Sequence, residues 1–342
     1  MLKRRKTRQV SVGGVKIGGN APISIQSMAK VETSNVKAVI SEIKRLELSG
    51  CEIIRVAVKT VKDAEALKDI TRNIKIPLVA DIHFDYRLAL KAIASGADKI
   101  RLNPGNIRKR EEIIQVVKAA KKAKIPIRIG VNSGSTSGDF IKSAFTHIKL
   151  FENLSFHDII ISLKASDVAK TVEAYRKISK LCDYPLHLGV TASGPYEHGI
   201  VKSSIGIGSL LLDGIGDTIR VSLTADPVEE VIAAKKILSA LKLRKFGPEI
   251  ISCPTCGRCQ VDLGKIVNEL ESKLNPIPYT LNPKLPLTIA IMGCEVNGPG
   301  EAREADIGIA FGKDSGMLFK KGKIVKKVKT KDVVKEIFKE LK

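Results

Sequence analysis

The chain has 342 residues, of which 44% are hydrophobic, and a formal net charge of +22 at pH 7. This length exceeds one average domain and suffices for a sizeable buried core. The charge favours anionic partners, but tryptophan is absent and aromatic residues make up only 4%, which argues against a nucleic-acid surface built on base stacking.

The first residues and the hydropathy pattern give no sign of export or membrane insertion. The segment MLKRRKTRQV is basic but has no apolar stretch behind it and no small-residue cleavage site. No apolar run approaches the roughly 18 residues of a membrane span. Six cysteines, three of them within seven residues, are typical of metal binding in a reducing compartment. We therefore expect a soluble cytoplasmic protein.

Eight short apolar segments alternate with amphipathic segments of helical period between residues 20 and 245. The predicted strands span residues 22–28, 51–58, 76–84, 97–105, 125–132, 158–166, 184–191 and 216–223. This alternation predicts βαβ units with a parallel sheet, and eight repeats favour a closed (β/α) barrel. An open doubly wound sheet is the alternative.

The repeating pattern ends at Gly247 and Pro248, which predicts a barrel domain over residues 1–245 and a second domain over 246–342. The second domain is predicted to be a small α+β unit. It would contain a cysteine loop, a helix over 261–274, a proline-rich linker over 275–286, two strands, a hairpin turning at Lys321 and Gly322, and a last helix. The charged run KKGKIVKKVKTK is interpreted as a solvated hairpin face, with a docking patch as the alternative.

Polar residues collect at the C-terminal ends of the predicted strands, where (β/α) barrels carry their chemistry. Many recur at period two, so that each pair shares one face. The set comprises Arg55, Asp81, His83, Arg101, Asn103, Arg128, Asn132, Ser162, Lys164, His187, Thr191, Arg220 and Ser222. His83 follows Asp81 at a spacing that can orient an imidazole, whereas His187 alone is interpreted as a core histidine.

Four arginines and a lysine of this set are expected to converge on the barrel mouth, and we call them the cation ring: Arg55, Arg101, Arg128, Lys164 and Arg220. Converging cations need a counter-charge, and Asp81 is the one acid in this set of strand-end residues. A diphosphate would satisfy them, since arginine suits forked hydrogen bonding of phosphate oxygens. Structural ion pairs with neighbouring acids are the alternative.

Three cysteines follow one another at three-residue intervals, Cys253, Cys256 and Cys259, and Cys294 lies further along the chain. A C-x-x-C-x-x-C run with a distant fourth ligand is typical of iron–sulfur clusters. Zinc is the alternative, although the remote half offers Cys294 and no histidine. Cys51 and Cys182 are interpreted as small buried hydrophobes.

An iron–sulfur domain joined to an anion-binding barrel predicts reductive chemistry on the anion. No nicotinamide or flavin fingerprint is visible, so we expect electrons to arrive from a separate acidic protein such as ferredoxin or flavodoxin. The contrasting hypothesis is a zinc-ribbon protein whose barrel domain binds nucleic acid through its positive charge.

Eight segments, in chain order, resemble the 4-hydroxy-3-methylbut-2-enyl diphosphate synthase family: VADIHFDYRLAL, IRLNPGNI, IPIRIGVNSGS, SLKASDV, HLGVT, GIGDTIRVSLTADPVEE, SCPTCGR and MGCEVNGPGEA. The resemblance implies a TIM barrel similar to dihydropteroate synthase, followed by a domain similar to those of sulfite and nitrite reductases. It implies a [4Fe-4S] enzyme that opens 2-C-methyl-D-erythritol 2,4-cyclodiphosphate reductively, with loss of water. It also implies a homodimer in which each cluster domain covers the barrel mouth of the other subunit.

The same resemblance assigns site residues. The implied cluster ligands are Cys253, Cys256, Cys294 and Glu301, which makes Cys259 a thiol outside the ligand set although its spacing suggests otherwise. The implied substrate-binding positions are Arg55, Arg101, Asn103, Arg128, Asn132, Lys164 and Ser222, with Asp81 and His83 beside them.

One position departs from the family pattern. Many members carry a glutamate, thought to be a general acid or base, where this chain has Ala192 in HLGVTASGPYEHG. Alanine cannot transfer a proton, so a neighbouring group would have to replace it. Glu197 and His198 are the candidates, and we expect Glu197.

Overall fold

The structure is a computed structural model that describes residues 3–103, 106–107, 109–132, 140–274, 288–296 and 298–341. Residue contacts divide the chain into two compact units, Met1–Arg244 and Lys245–Lys342. The linker predicted over 275–286 lies outside the described residues, as do the last two residues of the strand predicted over 97–105. None of the helices within the described ranges is both long and apolar enough to cross a membrane.

Eight parallel strands form the centre of the first unit. They are β3 (Ser24–Met28), β4 (Ile53–Val58), β5 (Leu78–Ile82), β6 (Lys99–Leu102), β7 (Ile127–Asn132), β8 (Ile159–Lys164), β9 (His187–Leu188) and β10 (Thr218–Ile219). Consecutive strands pair from β3 to β8, and β10 pairs with both β3 and β9. A bridge between Ile161 and Leu186 closes the ring between β8 and β9. The closed barrel is therefore confirmed, and the open sheet is excluded.

Two strands are much shorter than predicted, because β9 and β10 keep only two residues each. Pro185 and Gly216 lie inside the predicted spans, and both residue types weaken strand pairing. The neighbouring residues still follow the barrel wall, since Arg220 N donates to Leu188 O at 3.0 Å.

Helices follow the strands around the barrel: α1 (Val36–Ser49), α2 (Val61–Asn73), α3 (Tyr86–Ala94), α4 (Arg110–Ala123), α5 (Phe140–Asn153), α6 (Val168–Leu181), α7 (Tyr196–Leu212) and α8 (Pro227–Ala240). Side-chain caps fix several of their starts. Thr60 and Asp63 form a capping box on α2, and Asp226 caps α8 ahead of Pro227. These helix starts lie on the side of the barrel where the strands end, so the caps also hold the loops of the mouth.

A hairpin precedes the barrel and was not predicted. Its strands are β1 (Val10–Val12) and β2 (Val15–Ile17), too short to show an alternating pattern. Val10 and Ile17 pack in one buried cluster with Ile53 and Ile160, which belong to the amino-terminal parts of their barrel strands. The hairpin therefore closes the end of the barrel opposite to the mouth.

The second unit is built on one five-stranded sheet in the described residues, in the order β11 (Glu249–Ser252), β12 (Thr288–Met292), β13 (Ile307–Phe311), β14 (Ser315–Lys320) and β15 (Lys323–Lys329). The first three strands are parallel, and β14 and β15 form the predicted hairpin at Lys321 and Gly322. Helices α9 (Leu263–Leu274) and α11 (Val333–Glu340) contribute to the main core. Helix α10 (Gly298–Glu304) contributes to a smaller one. The sequence did not reveal β11, which is four residues long and mostly exposed.

Candidate active site

The inner face of the barrel carries the cation ring. Arg101, Arg128 and Lys164 are 6%, 1% and 7% exposed, and they lie on β6, β7 and β8, one on each strand. The register aligns Arg101 with Arg128, and Asn132 with Lys164. Because side chains two residues apart on a strand share one face, these cations converge inside the barrel, as the sequence predicted.

Asp81 is the acid at the centre of this arrangement. Its Oδ1 lies 3.0 Å from Arg101 Nη1, and its Oδ2 lies 3.6 Å from Arg55 Nε. Burial would raise the pKa of Asp81, but the charges of Arg55, Arg101 and Arg128 together lower it to about 2. The carboxylate is therefore ionised at neutral pH.

A glycine on β7 makes room for one of the arginines. Arg101 Nη2 donates to Gly130 O at 3.0 Å, and a Cβ at Gly130 would lie 2.6 Å from Arg101 Nε. Any larger residue at this position would displace the guanidinium. The β7 backbone and Asp81 thus hold Arg101 from two sides.

Two further cations of the ring, Lys164 and Arg128, lie in surroundings that disfavour their positive charge. Burial lowers the pKa of Lys164 well below its usual value, and the charges of Arg128 and Arg220 lower it further. Burial, followed by the charges of Arg55 and Arg101, likewise lowers the pKa of Arg128. Arginine keeps its proton in proteins, so this lowering expresses a free-energy cost that an anion would relieve.

A second acid faces the ring and was missed by the strand pattern. Glu230, on α8 and 1% exposed, accepts from Ser27 Oγ at 3.3 Å and from Leu223 N at 3.0 Å. Arg220 Nη2 and Lys30 Nζ each lie 3.4 Å from its carboxylate. Asp81 remains the one acid of the strand-end set, but helix α8 supplies a second carboxylate. The ring has five cations and two acids, so ion pairing neutralises part of its positive charge and leaves an excess of positive charge.

Two loops of the mouth are tied to each other. Ser193 Oγ donates to Ser222 O, and Thr224 N donates to Gly194 O at 3.0 Å. These bonds connect the segment after β9 with the segment after β10. Ala192 lies in the segment after β9, where it is exposed and has a φ of +49°. The methyl group of an alanine at this point can neither donate nor accept a proton.

Three other predicted residues lie just beyond the ends of their strands, whereas Glu197 lies on a helix. Asn103 is buried after β6, and Ser222 is half-buried after β10. His83 is half-buried after β5, its ring centroid 6.2 Å from that of Phe84, which is 72% exposed. Glu197 is exposed in the first turn of α7.

His187 lies in the barrel interior. It is fully buried with Nδ1 3.4 Å from Thr218 Oγ1. Burial, reinforced by the charge of Arg128, lowers its pKa well below the usual value. The imidazole is therefore neutral, which fits the interpretation as a core histidine.

The cysteine loop of the second unit meets the end of β12. Cys253 directly follows β11, and Cys294 lies two residues after β12. Because β11 and β12 are parallel neighbours, their carboxyl ends share one edge of the sheet. Gly293 N donates to Cys253 Sγ at 3.3 Å. A Cβ at Gly293 would lie 3.4 Å from Cys253 Sγ and closer still to Cys259 Sγ, so glycine leaves the space between these thiols open.

The donor set fits an iron–sulfur cluster in its chemistry. None of the six cysteines forms a disulfide in the described part of the chain. Cys256 and Glu301 are exposed, the latter in the first turn of α10, where the chain continues from Cys294. Among the described residues, no three Cys, His, Asp or Glu side chains already lie close enough to hold a metal ion. Cys51 is buried as predicted, whereas Cys182 is half-buried.

Comparison with known families agrees with this geometry. A family model described as the GcpE TIM-barrel domain matches residues 7–235, and another, the GcpE protein C-terminal domain, matches residues 249–342. The chain belongs to the GcpE family. The resemblance noted from the sequence motifs is therefore confirmed.

Curated relatives cover the whole length of this GcpE chain. The 4-hydroxy-3-methylbut-2-en-1-yl diphosphate synthase (flavodoxin) of Thermodesulfovibrio yellowstonii is 54% identical, over 100% of this chain and 99% of the relative. The protein of the same name from Bacillus pumilus is 53% identical, over 99% of this chain and 93% of the relative.

Solved structures resemble the GcpE barrel in fold. Dihydropteroate synthase from Yersinia pestis superposes with a TM-score of 0.52 at 14% identity, over 69% of this chain and 99% of that one. The enzyme from Stenotrophomonas maltophilia gives the same TM-score and identity, over 69% of this chain and 98% of that one. The predicted dihydropteroate synthase-like barrel is confirmed. The predicted similarity of the second domain to sulfite and nitrite reductases stays a prediction.

Proposed function

We propose that the chain is a 4-hydroxy-3-methylbut-2-enyl diphosphate synthase, an iron–sulfur oxidoreductase. Its substrate would be 2-C-methyl-D-erythritol 2,4-cyclodiphosphate, opened by two electrons with loss of water. The observation that carries this proposal is the excess of cations in the ring, three buried and two half-buried, over the carboxylates of Asp81 and Glu230. A cyclic diphosphate brings the missing negative charge and the forked acceptors that guanidinium groups bind.

The barrel residues would bind and orient this substrate. Arg55, Arg101, Arg128 and Lys164 would hold the phosphoryl oxygens, and Asp81 would fix the direction of the first two arginines. Three neutral side chains near the same strand ends, Asn103, Asn132 and Ser222, would complete the hydrogen bonds to the substrate. Support comes from their shared position at the strand ends of β6, β7 and β10.

Loss of the hydroxyl as water needs a proton donor. We assign this part to Glu197, with His83 as a second group at the mouth. Glu197 is the second residue of the helix that follows β9, it is exposed, and it lies five residues after Ala192 in the sequence. His83 lies beside the ring through Asp81, whose pKa its charge helps to lower.

Cys253, Cys256, Cys294 and Glu301 would hold a [4Fe-4S] cluster, with Cys259 outside the ligand set. Such a cluster supplies electrons one at a time to the bound diphosphate. The thiol-rich donor set supports this assignment, since Cys253 and Cys294 follow the adjacent carboxyl ends of β11 and β12. The carboxylate of Glu301, on the first turn of α10, is an oxygen donor that binds less firmly than thiolate.

The partners follow from the chemistry and from the relatives. A flavodoxin would deliver the electrons, as the relatives' names state for them, with ferredoxin as the alternative carrier. We also propose a cytoplasmic homodimer in which each cluster domain covers the partner's barrel mouth. Neither nucleic acid nor a membrane has a part in this function.

The test is turnover of the cyclodiphosphate by protein purified and reconstituted without oxygen, with a small chemical reductant. We expect a brown protein with broad visible absorption that forms the linear diphosphate. A colourless, zinc-loaded, inactive protein whose nucleic-acid affinity falls steeply with salt would overturn the proposal and favour the zinc-ribbon hypothesis.

A further inference from the structure

We propose that an open groove on the second unit is the docking surface for the acidic electron-carrier protein. The groove has a volume of about 740 Å³, and we call it the lysine groove. Its lining consists of Gln260, Val261, Lys313, Asp314, Ser315, Lys327, Lys329, Thr330 and Lys331. The inference rests on the proposed function, since a carrier needs a docking surface here only if a cluster in this unit accepts electrons.

The charge of the lysine groove is strongly one-sided. Four lysines and one aspartate, Asp314, line it. The alternation of β15 explains how they collect: Lys327 and Lys329 share one exposed face. Lys326 lies on the other face, where its Nζ is 2.6 Å from Glu336. Lys327 and Lys329 form no ion pair within the described part of the chain.

The lysine groove adjoins the cysteine loop. Gln260 and Val261, which form part of its wall, directly follow Cys259. Gln260 N donates to Gly293 O at 3.0 Å, and Cys259 Sγ lies 3.3 Å from Val261 O. A protein seated in the groove would therefore touch the segment that directly follows the cysteine loop. The rate of electron transfer falls steeply with distance, so a donor bound in the groove would lie close to the proposed cluster.

The form of the surface suits a transient complex. Lysine ammonium groups are compact, well-hydrated charges on flexible side chains. When exposed, they raise the rate of association with an acidic partner more than they raise the affinity. Electron-transfer complexes are typically small and short-lived. Acidic carboxylates on the carrier would offset the unpaired charges of Lys327, Lys329 and Lys331. Added salt should then weaken the complex by screening.

The experiment compares two double variants of the cluster-loaded protein. Lys327→Glu with Lys329→Glu reverses two charges of the lysine groove. Lys265→Glu with Lys335→Glu reverses two equally exposed charges on α9 and α11 of the same unit, and is the matched control. Each is assayed for turnover with reduced flavodoxin, for turnover with a small chemical reductant, and for direct binding of flavodoxin over a range of salt concentrations.

We expect the KM for flavodoxin to rise about tenfold in the groove variant, with a flatter salt dependence, because each reversed surface charge contributes modestly. Turnover with the small reductant should be unchanged in both variants, and the control should keep its KM. Equal KM values, or equal losses in the two variants, would overturn the docking site. If no reductant supports turnover, the proposed function fails. The binding measurement still tests the groove, because unchanged flavodoxin binding by the groove variant would refute it independently.

Discussion

Replacing Asp81 by Asn should destabilise the barrel without a large change in shape. Asp81 is 3% exposed and faces Arg101 at 3.0 Å and Arg55 at 3.6 Å. Folding lowers its pKa from 3.8 to about 2. That difference corresponds to about 2.5 kcal/mol of stability at neutral pH. The figure lies slightly below the roughly 3–5 kcal/mol typical of breaking a buried pair, which fits the longer of the two contacts.

The sign of the pH dependence follows from the lowered pKa. A carboxyl group whose pKa is lower in the folded than in the unfolded state stabilises the folded state at pH values above the unfolded pKa. The contribution of Asp81 is therefore fully present above pH 3.8 and is lost as the pH falls through about 2. Denaturant unfolding followed by circular dichroism at several pH values would measure it. The difference between wild type and Asp81→Asn should therefore shrink in acid.

Asp85→Asn is the matched control. Asp85 also pairs with an arginine, Arg87 at 2.9 Å, but that pair is largely exposed. It also caps α3, and asparagine caps helices as well as aspartate does. Its replacement should leave the free energy of unfolding nearly unchanged. If Asp81→Asn is equally neutral, the cation ring does not depend on its central carboxylate, and the electrostatic account of the site is wrong.

Three further predictions concern the ligands. Lys164→Met should raise the stability of the protein without ligand, because burial penalises this ammonium group. It should also remove the rise in melting temperature that inorganic pyrophosphate gives the wild-type protein. The control Lys170→Met, on the exposed side of α6, should change neither quantity. Glu197→Gln should lower kcat more than it raises KM, and full activity would exclude Glu197 as the proton donor. Cys259→Ser should keep the visible absorption and the activity, whereas Cys256→Ser should lose both; the opposite result would restore Cys259 as a ligand.

The predicted strand ends show why part of the site could be read from the sequence. Side chains of a strand alternate between two faces, so residues two apart, such as Arg101 and Asn103, share a direction whatever the rest of the chain does. The repeated alternation of strands and helices likewise predicted a parallel sheet of βαβ units, whereas its closure into a barrel was confirmed only by the strand pairing. The spacing of Cys253, Cys256 and Cys259 likewise pointed to a metal centre before any contact was known.

Only the tertiary structure decided the features that join distant segments. Glu230 belongs to a helix, and whether a helical carboxylate faces the barrel or solvent depends on how α8 packs, not on the spacing of strand residues. The closure of the barrel base by the hairpin near Val10 is of the same kind. The lysine groove also required the fold, because Gln260 and Lys327 are far apart in the chain and meet only when the sheet of the second unit is assembled. Alternation along a segment fixes the direction of a side chain, but packing between segments determines what that side chain meets.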